Sequence, residues 1–600
     1  MDGKATNKHT LDFFETTVLE CIFERQFQKS HELATLDDLE LLKYHPDKAK
    51  KVAATQAKDN SGKAKDETPS LISITAELYL YDPSSSQFIL QCKEVTASLK
   101  ETNLFRYLLV ISSGEKTFLS QPVENNMNPV FSQEYCSFIW VYHDEANGLA
   151  YSWSLKFANA DDERTFREAF GRCMYETLNR EKFEKVKSDD RQFLLDAYEE
   201  DVEMKDAWEE EAEEEEEEDS ESDDKENEAH ISMGDKQGGD KKNSQLAVGF
   251  KHHRAFVVRG DRIGVFKHGD ENLEFAAAIN NVATPQGQCF SPAKIMLHDQ
   301  DSSMVMMNKE NPNSLYRMDL EYGKVVEEWK VDENREVTDF TPDQKYAQMT
   351  AQQTFVGVSH NAVFRIDPRQ AGTKLVESQL NQYKSKNDFS CATTTGKGEL
   401  VVASNKGDLR LYNQLEKRAK THLPGLGDPV TGIDVSEDGK YILSTCKTYL
   451  LVIDTESKDK ETSGFQKSLG AEKPAPKRLQ LKPEHVAWMN TTIQFTPARF
   501  NTGEDMEKTI VTTTGPYVIT WNFRRVKAGR LYDYTIKKYP TTVVAGKFSH
   551  GTDNKVIVAL PDDVTLASKK TFMSPKKAFA PPNTPVKSLR GRDAIVNSPF

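Results

Sequence analysis

GKYILSTCKTYLLVIDT, residues 439–455, decides the fold of the carboxy-terminal half: an apolar strand, a tight polar turn, and a second strand ending in Asp. The same unit recurs as RAFVVRGDRIGVFKH (254–268), QQTFVGVSHNAVFRIDPR (352–369), GELVVASNKGDLRLYN (398–413), KTIVTTTGPYVITWNF (508–523) and NKVIVALPDDVTLAS (554–568). A further copy with a longer turn is SSMVMMNKENPNSLYRMDL (302–320). Seven units between 246 and 567 give roughly 46 residues each, the period of four-stranded propeller blades. One small sheet cannot bury both faces alone, so radial stacking supplies the core and closing the circle removes exposed edges. The Trp-Asp dipeptides and Gly-His starts of the common WD repeat are absent, so "WD-like" describes architecture only. The spacing widens between Thr455 and Glu484, where GAEKPAPKRLQLKP (470–483) is expected to form a surface insertion.

Upstream, from Leu71 to Phe157, the period shortens to two. LISITAELYLYD, QFILQCKEV, NLFRYLLVIS, EYCSFIWVYH and LAYSWSLKF alternate apolar and polar residues between turn signals such as DPSSSQ and NNMNP. A helix follows from near Ala160, with Asp161 and Asp162 expected to supply its cap and first-turn charge and Phe166, Phe170, Met174 and Leu178 on one stripe. Strands closed by one amphipathic helix predict a pleckstrin-homology-like barrel over 71–198. WSLKFANADDERTFREAF (153–170) resembles the last strand and capping helix of Ran-binding and related domains of that superfold. Phe193, Leu194, Ala197 and Tyr198 extend the helical spacing, so the helix is expected to persist to about Ala207.

Charge divides the rest of the chain. Residues 199–224 hold 18 Asp or Glu and one Lys, a net −17, so the remainder of the chain carries +1 of the total −16. No domain-wide basic excess points to nucleic acid or to an anionic membrane. Self-repulsion predicts an acidic disordered linker over 199–243. Residues 1–45 contain an amphipathic helix (Leu11, Phe14, Val18, Ile22 and Phe23), followed by a Lys- and Ala-rich linker over 46–68. Residues 568–600 form a basic tail expected to be disordered, in which Ser574, Thr584 and Ser598 each precede proline as candidate phosphorylation sites. The seven cysteines are scattered without CxxC pairs or nearby histidines at ligand spacing, which fits a reduced compartment. The first residues contain no apolar run of signal-peptide length, and no apolar run is long enough to span a bilayer.

NPVFSQEYCSFIWVYHDE (128–145), the acidic spacer, NSQLAVGFKHHRAFVVRGDRIGVF (243–266) and TGIDVSEDGKYILSTCKTYLLVIDT (431–455) occur in an order that resembles the vacuolar import and degradation protein 27 family of fungi, with relatives in plants and protists. The resemblance runs from about 71 to 565. It implies a cytoplasmic protein linked to vacuolar import and degradation of metabolic enzymes, with no accepted biochemical activity.

The residues themselves supply no catalytic constellation. His252, His253 and Arg254 lack carboxylate or cysteine partners at ligand spacing and fit a strand edge of the first blade; GxxxxGK[ST], GxSxG, HExxH and GxGxxG are all absent. No metal or cofactor is expected. Phosphoinositide binding needs Lys or Arg in a loop that cups the phosphates, and DPSSSQ has none. The reading is therefore a non-catalytic scaffold or adaptor with protein partners and no direct membrane contact. The rivals are a membrane-recruited regulator using the barrel, and an enzyme using the propeller channel. The second requires His, Asp, Glu or Arg clustered on the inner strands, which the sequence does not display.

Overall fold

The period-two segment forms a seven-stranded antiparallel sheet in the computed structural model, which describes residues 70–144, 147–199, 228–233, 241–269, 272–457, 462–503 and 507–579. The expected amino-terminal helix, the 46–68 linker and the acidic run after Glu199 lie outside these residues. The strands are β1 (Ser70–Asp82), β2 (Gln87–Asn103), β3 (Arg106–Ser113), β4 (Lys116–Pro122), β5 (Val130–Ser132), β6 (Ser137–Asp144) and β7 (Leu149–Phe157), in the order β4-β3-β2-β1-β7-β6-β5. Helix α1 (Ala160–Asn179) closes the barrel. It starts where the Asn159 side chain accepts the Asp162 N–H at 2.9 Å, beside three first-turn carboxylates. Phe166, Phe170 and Met174 are fully buried, the two rings against Phe131 and Phe138.

The structure corrects the long helix. Arg180 adopts φ 53° and caps α1, and a second helix, α2 (Ser188–Asp196), begins only after an intervening turn. The break redirects Phe193, Leu194 and Ala197 onto the propeller, a tertiary demand that overrides local spacing.

The propeller consists of seven four-stranded antiparallel sheets: blades one (243–279), two (294–330), three (339–382), four (389–423), five (432–479), six (499–538) and seven (545–568). Within each blade, the strands run outward in chain order from a first strand beside the axis. Blade seven takes only three strands from its own end of the chain. Its fourth is β8 (Ile231–Ser232), which pairs Ile231 with Val564 and Ser232 with Asp563. The linker expected over 199–243 therefore contains a blade strand, too short at two residues to leave a period in the sequence. Asn243 seals the joint. Its N–H donates to Pro561 O (2.8 Å), its amide to Leu560 O (2.7 Å), and its Oδ1 accepts from Arg259 Nε (2.9 Å).

Two further expectations are corrected. GAEKPAPKRLQLKP is only partly an insertion, because Lys477–Leu479 is the fourth strand of blade five. Lys477 and Arg478 are buried there: Lys477 Nζ donates to Lys527 O (3.2 Å), and the Arg478 guanidinium lies 4.2 Å from the Tyr449 ring centre. Buried cations held by a backbone carbonyl or an aromatic face escape a hydropathy reading. The first part of the basic tail, through Phe579, is packed on the propeller. After α3 (Pro483–Met489) and α4 (Phe523–Lys527), Met573 bridges to Ile536, and α5 (Pro575–Ala578) leads Phe579 onto Trp488 and His485.

Barrel and propeller share cores. Val141 and Ala150 join Val486, Met489 and residues of blades five and six, while Phe183, Phe193, Leu194 and Ala197 join Leu426, Val430, Tyr449 and Leu469. The Arg478 guanidinium sits between Tyr449 and Tyr198, the latter 5.0 Å away. Polar contacts fix the register: Asn128 amide to Leu481 O (2.7 Å), Gln480 amide to Pro129 O (2.6 Å), and a shielded Lys473–Asp190 pair (2.8 Å). Gly427, at φ 114°, is required because a Cβ there would lie 2.5 Å from that of Leu178.

Two outcomes follow. Cutting the chain at a protease site inserted after Ala212 should leave both fragments eluting together at micromolar concentration, because buried apolar surface and not the peptide link joins them. Separate elution would contradict the shared core. Asn243→Ala should cost about 2–3 kcal/mol by leaving buried partners unmatched, read as a lowered denaturation midpoint.

Candidate functional site

Five first strands carry a charged residue in an otherwise uncharged inner strand: Lys294 in blade two, Asp339 in three, Asp434 in five, Arg499 in six and Lys547 in seven. Turns joining first to second strands add Asp301, Lys345, Glu507 and His550. Lys294, Asp434, Arg499, Lys547 and Lys345, with Phe340, Phe500 and Tyr346, line a cavity of about 290 Å³ that opens among those turns.

Pairing within the channel is uneven. Lys294 pairs with Asp339, whose other oxygen accepts the Ala392 N–H of blade four (2.9 Å). Asp434 repeats the arrangement, accepting the Phe500 N–H of blade six (3.0 Å) while Lys345 Nζ stands 3.3 Å away. Each carboxylate thus staples one inner strand to the next. Lys345 also donates to Val435 O and lies 3.5 Å from Glu507, whose carboxyl burial pushes up despite that cation. Among the described residues Arg499 donates only to a carbonyl, Ile433 O.

Lys547 has no hydrogen bond or ion pair among the described residues. Burial, reinforced by the Arg499 and Lys294 charges and opposed by Asp434, lowers its ammonium to about 7. The channel therefore holds two cations, Arg499 and Lys547, without a carboxylate partner. The enzyme rival rested on charges of this kind, which the sequence reading did not find. Each interrupts a short inner strand by one residue, so the signal was the inward phase of the first strands, visible only once those strands are located.

The other predicted residues lie elsewhere. His252 and His253 are exposed in the turn before the second strand of blade one, His253 with its ring centre 5.6 Å from that of His268. Burial, with the neighbouring His253 and Lys555, lowers His268 to about 4. Among the described residues, no three His, Cys, Asp or Glu side chains form a metal-binding group, and no helix is long and apolar enough to cross a membrane. Ser574 is exposed at the start of α5, whereas Thr584 and Ser598 lie outside the described residues. In the β1–β2 loop Asp82 accepts hydrogen bonds from Ser84 and Ser85, and no base is present.

Replacing Lys547 by Met should stabilise the protein at pH 7, raising Tm by roughly 5 °C. A cation with a lowered folded pKa penalises folding fully below that value, and the penalty fades as pH rises toward the unfolded value. The gain should accordingly be greatest below pH 7 and shrink steadily toward pH 10 in denaturation curves.

Comparison with known proteins places these features. The VID27 PH-like domain family matches residues 69–177, and the VID27 C-terminal WD40-like domain family matches 241–584. The chain is 42% identical to vacuolar import and degradation protein 27 of Schizosaccharomyces pombe, with 98% of this chain and 84% of that one covered. To the Saccharomyces cerevisiae protein of the same name it is 36% identical, with 96% and 81% covered. Among solved structures, the Neurospora crassa Pan2 WD40 domain matches with a TM-score of 0.41 at 11% identity, covering 57% of this chain and 94% of that one.

Proposed function

Because the chain belongs to the vacuolar import and degradation protein 27 family, we propose that it is a cytoplasmic, non-catalytic scaffold that brings protein cargo to a degradative or trafficking pathway. The observation that supports this most is the division of the propeller's two faces. The barrel docks on connections leading into the first strands of blades five and six, through Asp428, Leu426 and Leu481. The opposite face carries the first-to-second-strand turns around the channel mouth. Joined through common cores, the two modules present that face as a rigid platform, which lowers the ordering cost of binding a partner.

Recognition is favoured over catalysis by the commitment of the two inner-strand carboxylates. Asp339 and Asp434 each hold a neighbouring backbone N–H and face a lysine, so neither is a free base beside Lys547. The absence of Lys and Arg from the β1–β2 loop supports a protein partner over a lipid.

Cross-linking of the full chain with its captured partners, read by mass spectrometry, tests the assignment. Links should concentrate at Lys251 and Lys397, which are exposed on the turns of the channel-mouth face. They should be sparse at Lys309 and Lys447, exposed on the other. The reverse distribution would overturn the choice of face, and capture of no protein at all would overturn the scaffold.

A further inference from the structure

We infer that the cavity at the channel mouth is a binding site for a small phosphate-bearing anion, held by Arg499 and Lys547 from neighbouring blades six and seven, with Lys294 lining the same cavity. The site is independent of the scaffold reading, since a soluble metabolite would occupy it whether or not a protein docks above.

The charges give the first reason. Lys294 and Lys345 are balanced by Asp339, Asp434 and Glu507, whereas Arg499 reaches only a backbone carbonyl and Lys547 reaches nothing among the described residues. Arg499 and Lys547, neither in an ion pair among the described residues, face one partly open cavity and disfavour each other, and an anion relieves both. A phosphate monoester carries about −1.5 to −2 near neutral pH, and its oxygens suit both the guanidinium fork and the ammonium point charge.

Size and lining give the second. A cavity of about 290 Å³ lies at the lower end of the range for small-molecule sites, too small for a folded partner's loop yet larger than one phosphate ion. Phe340, Phe500 and Phe548 offer apolar surface beside the cations, as a phosphorylated sugar or similar compact ester requires. The lowered Lys547 ammonium agrees with this geometry. Near pH 7 it is about half neutral in the empty site, and a bound dianion restores its proton.

Titration calorimetry on the full chain with ribose 5-phosphate, inorganic pyrophosphate and citrate tests the site. The two phosphate compounds should bind one to one with proton uptake at pH 7.5, and about twentyfold more weakly at pH 8.5 than at 6.5, as Lys547 loses its proton. The charged groups that line the cavity with Lys547 are Arg499, Lys294, Lys345, Asp301 and Asp434, beside the imidazole of His550. Of these, burial lowers His550 from its ordinary value, so a His550→Gln variant that keeps the pH profile assigns the titration to Lys547. Lys547→Arg should bind without pH dependence over this range, and Lys547→Met should lose at least about tenfold in affinity at pH 6.5. Failure of both phosphate compounds to bind at millimolar concentration, or binding unchanged in Lys547→Met, would overturn the site. Citrate binding as tightly would overturn the phosphate assignment. A phosphopeptide that binds where the small compounds do not would replace it with a macromolecular ligand.

Discussion

Closure of the ring by a two-residue strand is the constraint on which the other features rest. Each blade buries one face of its sheet on the blade before and the other on the blade after, so the arrangement is stable only when no end is left open. Ile231 and Ser232 complete blade seven, and Asn243 ties the start of blade one to Leu560, Pro561 and Asp563. With the circle fixed, the first strands are held around one axis and their single charged residues meet. Charges from blades two, three, five, six and seven share the channel only because the ring is complete.

Inside that ring, electrostatics and packing divide the labour. Asp339 and Asp434 link successive inner strands through backbone N–H groups, so part of the channel charge is structural. Arg499 likewise reaches the inner strand of blade five through Ile433 O, whereas Lys547 has no such duty, and the folded state bears the cost of keeping it. On the outside, the barrel fills the space beside blades four to six with Val141, Ala150, Phe193 and Leu194, which makes it an integral part of the body rather than a tethered module.

Much of this was legible in the sequence. The second and third strands of the blades announce themselves, because both are largely buried, rich in β-branched and apolar residues, and separated by short turns, as in VVRGDRIGVF. The first strands are short and interrupted by charges, and the fourth are half-exposed or, in blade five, carry buried Lys477 and Arg478. Neither gives an unbroken apolar run, so blades were counted correctly while the channel residues and β8 passed unnoticed. In the barrel, β4 (KTFLSQP) alternates too weakly to register, and the break after α1 depends on contacts with the propeller that local spacing cannot encode. Ser574 was read in a free tail, whereas the aromatic contact of Phe579 with Trp488 orders the segment around it.

The pairing of residue 231 with residue 564 also sets a schedule for biosynthesis. The closing strand leaves the ribosome first and its partner more than three hundred residues later, an interval on the order of 20–60 s at ordinary elongation rates. Throughout that interval the nascent propeller has an unpaired edge at each end, open to pairing with the edge of another growing chain. Eighteen carboxylates lie just upstream of the waiting strand and repel an identical neighbour on the same polysome. The most polar stretch of the sequence thus stands guard over its slowest contact, and completion of the ring is the event after which that guard is no longer needed.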